Sequence, residues 1–296
     1  MYKIYGDSCC DLPVSYAAQR NINLVPLSYT VDGVEYHDDG KNADNILSLY
    51  AKMRDGKLTN TSQPSPEELY NIFEASAKNN EELIYMTLSS GISGTYNSAC
   101  LMLERCMEEY PEAKISVIDS LCASGGYGLL MQRIADNRDN GMSYEEAVEW
   151  IKNNRLNVIH WFTVEDLAYL QRGGRVSKAK AIITGVLNIK PIMHVDRNGF
   201  LVATGISRGR KNSLKELVKN ALDDIESYSD ENYMQSVYIN HADAYDDALM
   251  CKSLMSGCKK IKQITINSIG PTIGCHSGPG TIAIFCFGNN REKEKK

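Results

Sequence analysis

The chain has 296 residues, 43% of them hydrophobic, and a formal net charge of −5. At roughly 150 residues per domain, this length predicts two domains with substantial hydrophobic cores. The acidic balance and the lack of a long basic run argue against nucleic-acid binding. Apolar runs fall short of the roughly 18 residues that a membrane-spanning helix needs. Residues 1–7 are typical of a strand and not of a signal peptide.

Strands and helices alternate through residues 1–156, which predicts an α/β/α domain with a mainly parallel sheet. The predicted strands are 2–6, 23–31, 83–86 and 114–119. Asp11 is a candidate cap of the first helix. Residues 59–66 are too polar for a strand and are expected to form a loop. Ser65 is a candidate cap of the next helix, with Pro66 in its first turn.

The sequence pattern changes after residue 156, and residues 157–288 predict a second α/β domain. Its six predicted strands are 157–162, 190–195, 200–206, 236–242, 262–269 and 281–287. The turn signal at 196–199 requires an antiparallel hairpin, so a mixed six-stranded sheet is expected. Helices near 210–228 and 243–257 are expected to cover one face of this sheet. Residues 289–296 are expected to form a disordered, charged tail.

Cysteine and histidine spacing bears on compartment and on metal binding. The nine cysteines include no C-x-x-C pair, so neither a disulfide framework nor a zinc site is expected. Most thiols should be small buried groups in a cytoplasmic protein. His160 and His194 fall within strand patterns and are expected to be structural. We interpret His241 and the acidic residues after it as a strand end before a helix start, and we expect no metal or cofactor.

The stretch 87–96 joins a predicted buried strand to a predicted helix and contains two glycines. Glycine lets the backbone approach a ligand closely, and the free N–H groups of a helix start favour an anion. Ser93 is the best-placed donor for an anionic head group. From these residues alone, an ordinary helix cap remains an equally open interpretation.

Two further stretches offer hydrogen-bonding side chains. Thr61 and Ser62 present hydroxyl groups, although capping of the next helix is the alternative role for both. His276 lies in the glycine-rich segment 270–280, which we interpret as a loop between two strands. A histidine flanked by glycines can reach a ligand, so the segment is a candidate binding loop.

Arginines lie beside glycines in the stretches 172–175 and 207–211. Their guanidinium groups suit carboxylate or phosphate recognition, with surface solvation as the alternative. Arg172 and Arg210 are the candidates that these stretches provide.

Taken together, these motifs resemble the DegV family of fatty-acid-binding proteins. The resemblance covers nearly the whole chain, and the matching motifs lie at 7–13, 61–65, 89–96, 172–178, 188–192 and 274–280. It implies two α/β domains with a long-chain fatty acid between them and no further cofactor. It also implies a carrier without catalysis of its own, which hands the fatty acid to a separate ATP-dependent kinase that makes acyl phosphate.

The resemblance also implies roles for individual residues. The carboxylate of the fatty acid would be held by Thr61, Ser93 and His276. A rim near the head group would be formed by Arg172, Arg210, Ser62 and Gly94.

Two other classes of protein remain open at this point. A dihydroxyacetone-kinase-type enzyme would hold a small carbonyl substrate covalently on His276, which requires a small polar pocket. A pure interaction protein would use the motif loops as a docking face without a ligand. A large apolar tunnel would favour the fatty-acid carrier over both.

Overall fold

The computed structural model describes residues 1–39, 43–175, 188–231 and 233–291. Its strands are β1 (Lys3–Asp7), β2 (Ile22–Val25), β3 (Leu27–Val31), β4 (Val34–Asp38), β5 (Thr59–Ser62), β6 (Leu83–Thr87), β7 (Ile115–Asp119), β8 (Val158–Thr163), β9 (Ile189–Val195), β10 (Leu201–Arg208), β11 (Gln235–His241), β12 (Ile261–Ser268) and β13 (Ile282–Phe287). Its α-helices are α1 (Val14–Gln19), α2 (Ala43–Arg54), α3 (Pro66–Lys78), α4 (Thr95–Glu109), α5 (Ser124–Asp139), α6 (Tyr144–Asn154), α7 (Ala168–Arg172), α8 (Arg210–Ser227), α9 (Tyr245–Met255) and α10 (Pro271–Ser277).

The first sheet is parallel throughout and has the strand order β2-β1-β6-β7, as the first half of the sequence predicts. Its strand β6 is buried at every position because helices cover both faces. Leu83 and Tyr85 pack in the core formed with α3 and α4. Ile84 and Met86 point the other way, into the core that contains α5 and α6.

The second sheet has six strands in the order β10-β9-β8-β13-β11-β12. Only the β11–β12 pair is parallel, so the predicted mixed sheet is confirmed. One face packs against α8 and α9. The opposite face contributes Phe162 and Phe285 to the core that also contains Ile84 of the first sheet. The two sheets therefore share one hydrophobic core, with α5 packed against strands of both.

A third, antiparallel sheet of order β4-β3-β5 was not predicted. The single strand expected at 23–31 is in fact two strands in different sheets. Pro26 separates them because it has no N–H group for a ladder hydrogen bond. The expectation of a loop at 59–66 is also wrong, since Thr59–Ser62 pairs with β3. This short strand alternates between half-buried and exposed residues, and such an edge accepts polar side chains.

Two local expectations need correction for reasons of backbone geometry. The segment 270–280 contains α10 and is not only a loop; Pro271 occupies the first turn, and Gly278 follows the last with a φ of 80°. Asp11 does not cap α1, which begins after Pro13. Its carboxylate instead accepts hydrogen bonds from Ser124 Oγ and the Gly270 N–H group, far away in the chain.

Arg291 also departs from expectation, because we placed it in the disordered tail and it is only 8% exposed. Its guanidinium group donates to the backbone carbonyl oxygens of Leu121, Arg155, Leu156, Val195 and Asp196. It thereby ties the β9–β10 hairpin to the loop before α5 and to the turn before β8. The rest of the expected tail, 292–296, lies outside the described residues.

Candidate ligand-binding site

A cavity of about 560 Å³ is enclosed by loops of the first half, the inner face of the six-stranded sheet and α10. This volume is within the usual range of small-molecule sites. Most of its wall is apolar and is formed by Leu27, Leu88, Ile92, Ala123, Phe162, Leu170, Val195, Leu201, Ile269, Ile273, Ala283 and Phe285.

Seven of the lining residues are neighbours in the chain or are joined by contacts, and we call this group the polar cluster. Its members are Thr61, Ser62, Gln63, Ser93, Gly94, Arg175 and His276. Contacts connect them: His276 reaches Thr61, Arg175 reaches the backbone beside Ser93, and Gly94 lies next to Gln63. The structure thus brings together five of the residues that the sequence nominated, namely Thr61, Ser62, Ser93, Gly94 and His276. The wall has further polar residues outside this group, namely Ser65, Ser124, His160, Thr272, Ser277 and Thr281.

His276 is held between β5 and the turn after α7. Its Nε2 lies 2.8 Å from Thr61 Oγ1. A methyl group on Gly173 would come within 2.3 Å of the ring Nδ1, so the imidazole packs directly on that backbone. Burial, reinforced by the nearby Arg175 guanidinium, lowers the pKa of His276 to about 4. The ring is therefore neutral at pH 7. When its Nε2–H donates to Thr61, the threonine hydroxyl is free to donate to a ligand.

Ser93 lies at the start of α4, where the capping residue Gly94 has no side chain. Its Oγ accepts a hydrogen bond from the Thr95 N–H group at 3.2 Å and lies 2.9 Å from Thr95 Oγ1. Ser93 therefore takes part in capping and also lines the cavity. A methyl group on Gly94 would lie 3.1 Å from Gln63 Oε1, so glycine permits this close approach of two loops.

Arg175 is a charged cavity residue that the sequence interpretation did not select. Its Nε donates to the carbonyl oxygen of Ile92 at 3.0 Å, and a terminal nitrogen donates to that of Gly173. Burial lowers the pKa of its guanidinium group from the ordinary value. The signal was present, because Arg175 ends the same 172–175 stretch. Nothing in the sequence indicates which of its two arginines turns inward.

Arg172 and Arg210, the two predicted rim arginines, do not line the cavity. The guanidinium group of Arg172 lies over the ring of Tyr169 at 4.6 Å. The Nε of Arg210 donates to Asp247 at 2.8 Å, and a terminal nitrogen donates to the carbonyl oxygen of Gly280 at 2.6 Å. Both arginines already have partners within the protein.

The other histidines that we considered have structural contacts. His160 is 1% exposed, accepts a hydrogen bond from the Ala123 N–H group and lies 3.1 Å from the carbonyl oxygen of Val158. His241 Nδ1 accepts from the N–H group of Ala244, just before α9, as a strand end before an acidic helix predicts. Within the described ranges, no cluster of His, Cys, Asp or Glu is arranged to hold a metal ion.

Fold and cavity together define a class: α/β proteins in which loops of the first half and the inner face of a mixed six-stranded sheet line a mainly apolar cavity with a polar cluster in its wall. The chain belongs to the DegV family, because the model of that family, described as an uncharacterised protein family, matches residues 1–289. In the part of the chain that the structure describes, no helix has the length and apolar character to cross a membrane.

Relatives cover the chain almost completely. A DegV domain-containing protein of Clostridium perfringens is 34% identical over 98% of this chain and 99% of that protein. The crystal structure of a stearic-acid-binding protein from Eubacterium ventriosum matches with a TM-score of 0.85 at 27% identity, covering 99% of each chain. DegV of Bacillus subtilis, described as a fatty acid binding protein, matches at 0.82 and 28% identity, covering 97% of this chain and 99% of that one.

Proposed function

We propose that this protein binds a long-chain fatty acid in the cavity, with its carboxylate at Thr61, Ser93 and His276. The observation that carries the proposal is the combination of a largely apolar wall with a polar cluster at the predicted head-group residues. The relatives described as fatty-acid-binding proteins support the same ligand class. A large apolar cavity is the opposite of the small polar pocket that a dihydroxyacetone-kinase-type enzyme would require.

The energetics favour a ligand with a long apolar tail. Burying the acyl chain contributes about 0.8 kcal/mol per methylene, on the order of 10 kcal/mol for a long chain before association costs. The buried carboxylate costs several kcal/mol unless it is paired. Hydrogen bonds to a charged group contribute about 1.5–3 kcal/mol each and offset this cost.

The charge of the carboxylate is balanced by arginine and not by histidine. Because His276 is neutral at pH 7, it acts as a hydrogen-bond donor, either to the carboxylate or to Thr61. Arg175 supplies the positive charge in the polar cluster. Ser62 and Gly94 complete the rim around the head group.

Bound in this way, the fatty acid would be presented to a separate, ATP-dependent kinase in the cytoplasm. A carboxylate oxygen attacks the γ-phosphorus of ATP, the bond between that phosphorus and the β,γ-bridging oxygen breaks, and ADP leaves. The carrier itself needs no nucleotide site for this step. Arg172 and Arg210 lie outside the cavity and are assigned to contacts with the kinase or with the new phosphate. Arg210 is bound to Gly280, directly before the cavity residue Thr281.

Native mass spectrometry of the purified protein tests the proposal. A mass excess equal to one fatty acid is expected, and it should disappear after delipidation and return on adding hexadecanoic acid. A small covalent adduct on His276 would instead indicate the carbonyl enzyme. A protein that neither carries nor takes up any ligand would be the interaction protein. Adding the kinase and ATP should convert the bound acid to acyl phosphate.

A further inference from the structure

The helix that carries His276 is too short to hold its own position. α10 has seven residues, and isolated helices of this length are unstable in water. Its capping residue, Gly270, has no side chain to satisfy the first N–H groups. The position of α10 therefore depends on groups from other parts of the chain.

Two carboxylates from the N-terminal region take these free N–H groups. Asp38, at the end of β4, accepts hydrogen bonds from the Thr272 N–H group at 3.1 Å and from Thr272 Oγ1 at 2.7 Å. Asp11 accepts from the Gly270 N–H group at 2.9 Å. Burial raises the pKa of Asp11 to about 8, so its carboxyl group is mostly protonated at pH 7 and holds α10 through the hydrogen bond and not through charge.

Asp38 is only 3% exposed, so the bonds that it accepts are shielded from water. Burial raises the pKa of Asp38 above its ordinary value, and the hydrogen bonds from Thr272, which favour the charged form, offset only part of this effect. A buried carboxylate with such partners fixes geometry strongly, because losing either partner leaves a polar group unsatisfied.

The fixed start of α10 determines the position of His276 near the C-terminal end of the helix. His276 comes six residues after the cap Gly270, so at 1.5 Å per residue it lies about 9 Å along the helix axis from the anchored start of α10. The imidazole has little freedom, because it packs on Gly173 on one side and bonds to Thr61 on the other. A shift of α10 by a fraction of its diameter would break the contact with Thr61.

We propose that Asp38 is a positioning residue of the head-group site: by holding the start of α10, it keeps His276 within hydrogen-bonding distance of Thr61. Asp11 holds the same end of the helix as a second anchor. Neither carboxylate need touch the ligand. This inference rests on the proposed fatty-acid site. It extends that site to Asp38 of the third sheet and to Asp11 in the connection between β1 and α1.

The test compares two ligands of equal chain length, hexadecanoic acid and 1-hexadecanol. Asp38→Asn should raise the Kd of the acid about tenfold, because the head-group bonds to the carboxylate weaken. The Kd of the alcohol should change less than about twofold. Equal losses for both ligands would mean general damage to the cavity and would overturn the proposal. Glu35→Gln, a change at an exposed carboxylate of the same strand β4, is the matched control and should leave both Kd values unchanged.

A double variant gives a sharper criterion. In the His276→Ala background, Asp38→Asn should have little further effect on the acid, because no imidazole is left to position. Additive effects of the two changes would contradict the proposal. If Asp38→Asn does not fold, Thr272→Val removes the hydroxyl bond to Asp38 and leaves the backbone bond. Because Thr272 also lines the cavity, this variant is judged without ligand, by the pKa of His276 in the measurement that follows. A His276 pKa equal to that of the wild type would count against the proposal.

A measurement without ligand separates this inference from the proposed function. In histidine-labelled protein, nuclear magnetic resonance reports the pKa of His276 directly. Asp38→Asn should raise this pKa from about 4 towards the ordinary value of 6.5, since the displaced ring meets water. An unchanged His276 titration would overturn the positioning role even in a protein that binds fatty acid. Failure of the wild-type protein to bind hexadecanoic acid would overturn the proposed function alone.

Discussion

Gly91, in the loop before α4, lies directly against the backbone of Gly199 in the β9–β10 turn. A methyl group on Gly91 would come within 2.6 Å of the Gly199 carbonyl carbon, and Ser89 Oγ donates to the Gly199 oxygen at 2.9 Å. The loop that carries Ser93 is thus fastened to the hairpin of the second sheet. Because Val195 of that hairpin lines the cavity, the contact joins two of its walls.

Gly91→Ala should therefore destabilise the protein and weaken fatty-acid binding. Neither backbone can move away without disturbing its sheet, so the free energy of unfolding should fall by about 1–3 kcal/mol. Chemical denaturation and a titration with hexadecanoic acid measure the two effects. Gly205→Ala is the control, because a methyl group there meets nothing within 4 Å. Equal stability of the two variants would show that the two loops can move apart at Gly91 without a measurable cost in free energy.

Thr61→Ala and Ser93→Ala should each weaken binding of the acid by about 1–3 kcal/mol, since each removes a donor to the carboxylate. Thr61→Ser keeps the hydroxyl group and should bind nearly as the wild type does. Isothermal titration calorimetry with hexadecanoic acid provides the measurement. Unchanged affinity in both alanine variants would remove Thr61 and Ser93 from the site.

The three arginines should divide into two phenotypes. Arg175→Ala should weaken acid binding, because its guanidinium group lines the cavity. Arg172→Ala and Arg210→Ala should keep most of the affinity but lose acyl-phosphate formation with the kinase and ATP. Transfer of labelled phosphate, run beside a binding titration, distinguishes the phenotypes. Normal transfer by the Arg172 and Arg210 variants would limit both residues to a structural role.

His276→Ala should impair both binding and transfer, because in the proposed function the imidazole supports the carboxylate before and during the reaction. His276→Gln is the milder companion, since its amide can still donate a hydrogen bond. The same paired assay applies to both variants. Full transfer by His276→Ala would show that Thr61 and Ser93 suffice to present the head group.

Stability should also depend on pH through His276. Its pKa is lowered from 6.5 to about 4, so the unfolded chain binds more protons than the folded one between these values. The contribution of His276 to the free energy of unfolding should then decrease as pH falls from 6.5 to 4, by at most about 1.4 kcal/mol per pH unit. His276→Gln should flatten this slope, whereas His37→Gln, at an exposed histidine, controls for the loss of one imidazole. Parallel slopes for the wild type and His276→Gln would contradict this assignment.

Regular patterns made much of the fold predictable. The six strands of the second sheet are apolar or alternating, and all of them form where such patterns indicate. Strand β5 was not predicted because its four residues are polar. Its strand conformation depends on its pairing with β3. α10 escaped because its glycines are typical of a loop, although its ends carry a proline and a glycine in the usual helix positions.

The site was predictable as motifs but not as an arrangement. Thr61 and His276 are 215 residues apart in the chain, and no local pattern places one against the other. The roles of Asp11 and Asp38 are likewise tertiary, because their hydrogen bonds to the start of α10 reach across more than 230 residues. The choice between Arg172 and Arg175 is also tertiary, because Arg175 bonds to the carbonyl oxygen of Ile92, 83 residues away in the chain.

Strand β13 follows all the other described strands in the chain, yet it lies between β8 and β11 in the six-stranded sheet. During synthesis on the ribosome, the edges of β8 and β11 that pair with β13 therefore stay unpaired until Ile282–Phe287 has emerged. Unpaired edges of apolar strands are prone to aggregation. The nascent chain can complete neither its central sheet nor its cavity before then, so the ligand is expected to enter only after translation has passed β13.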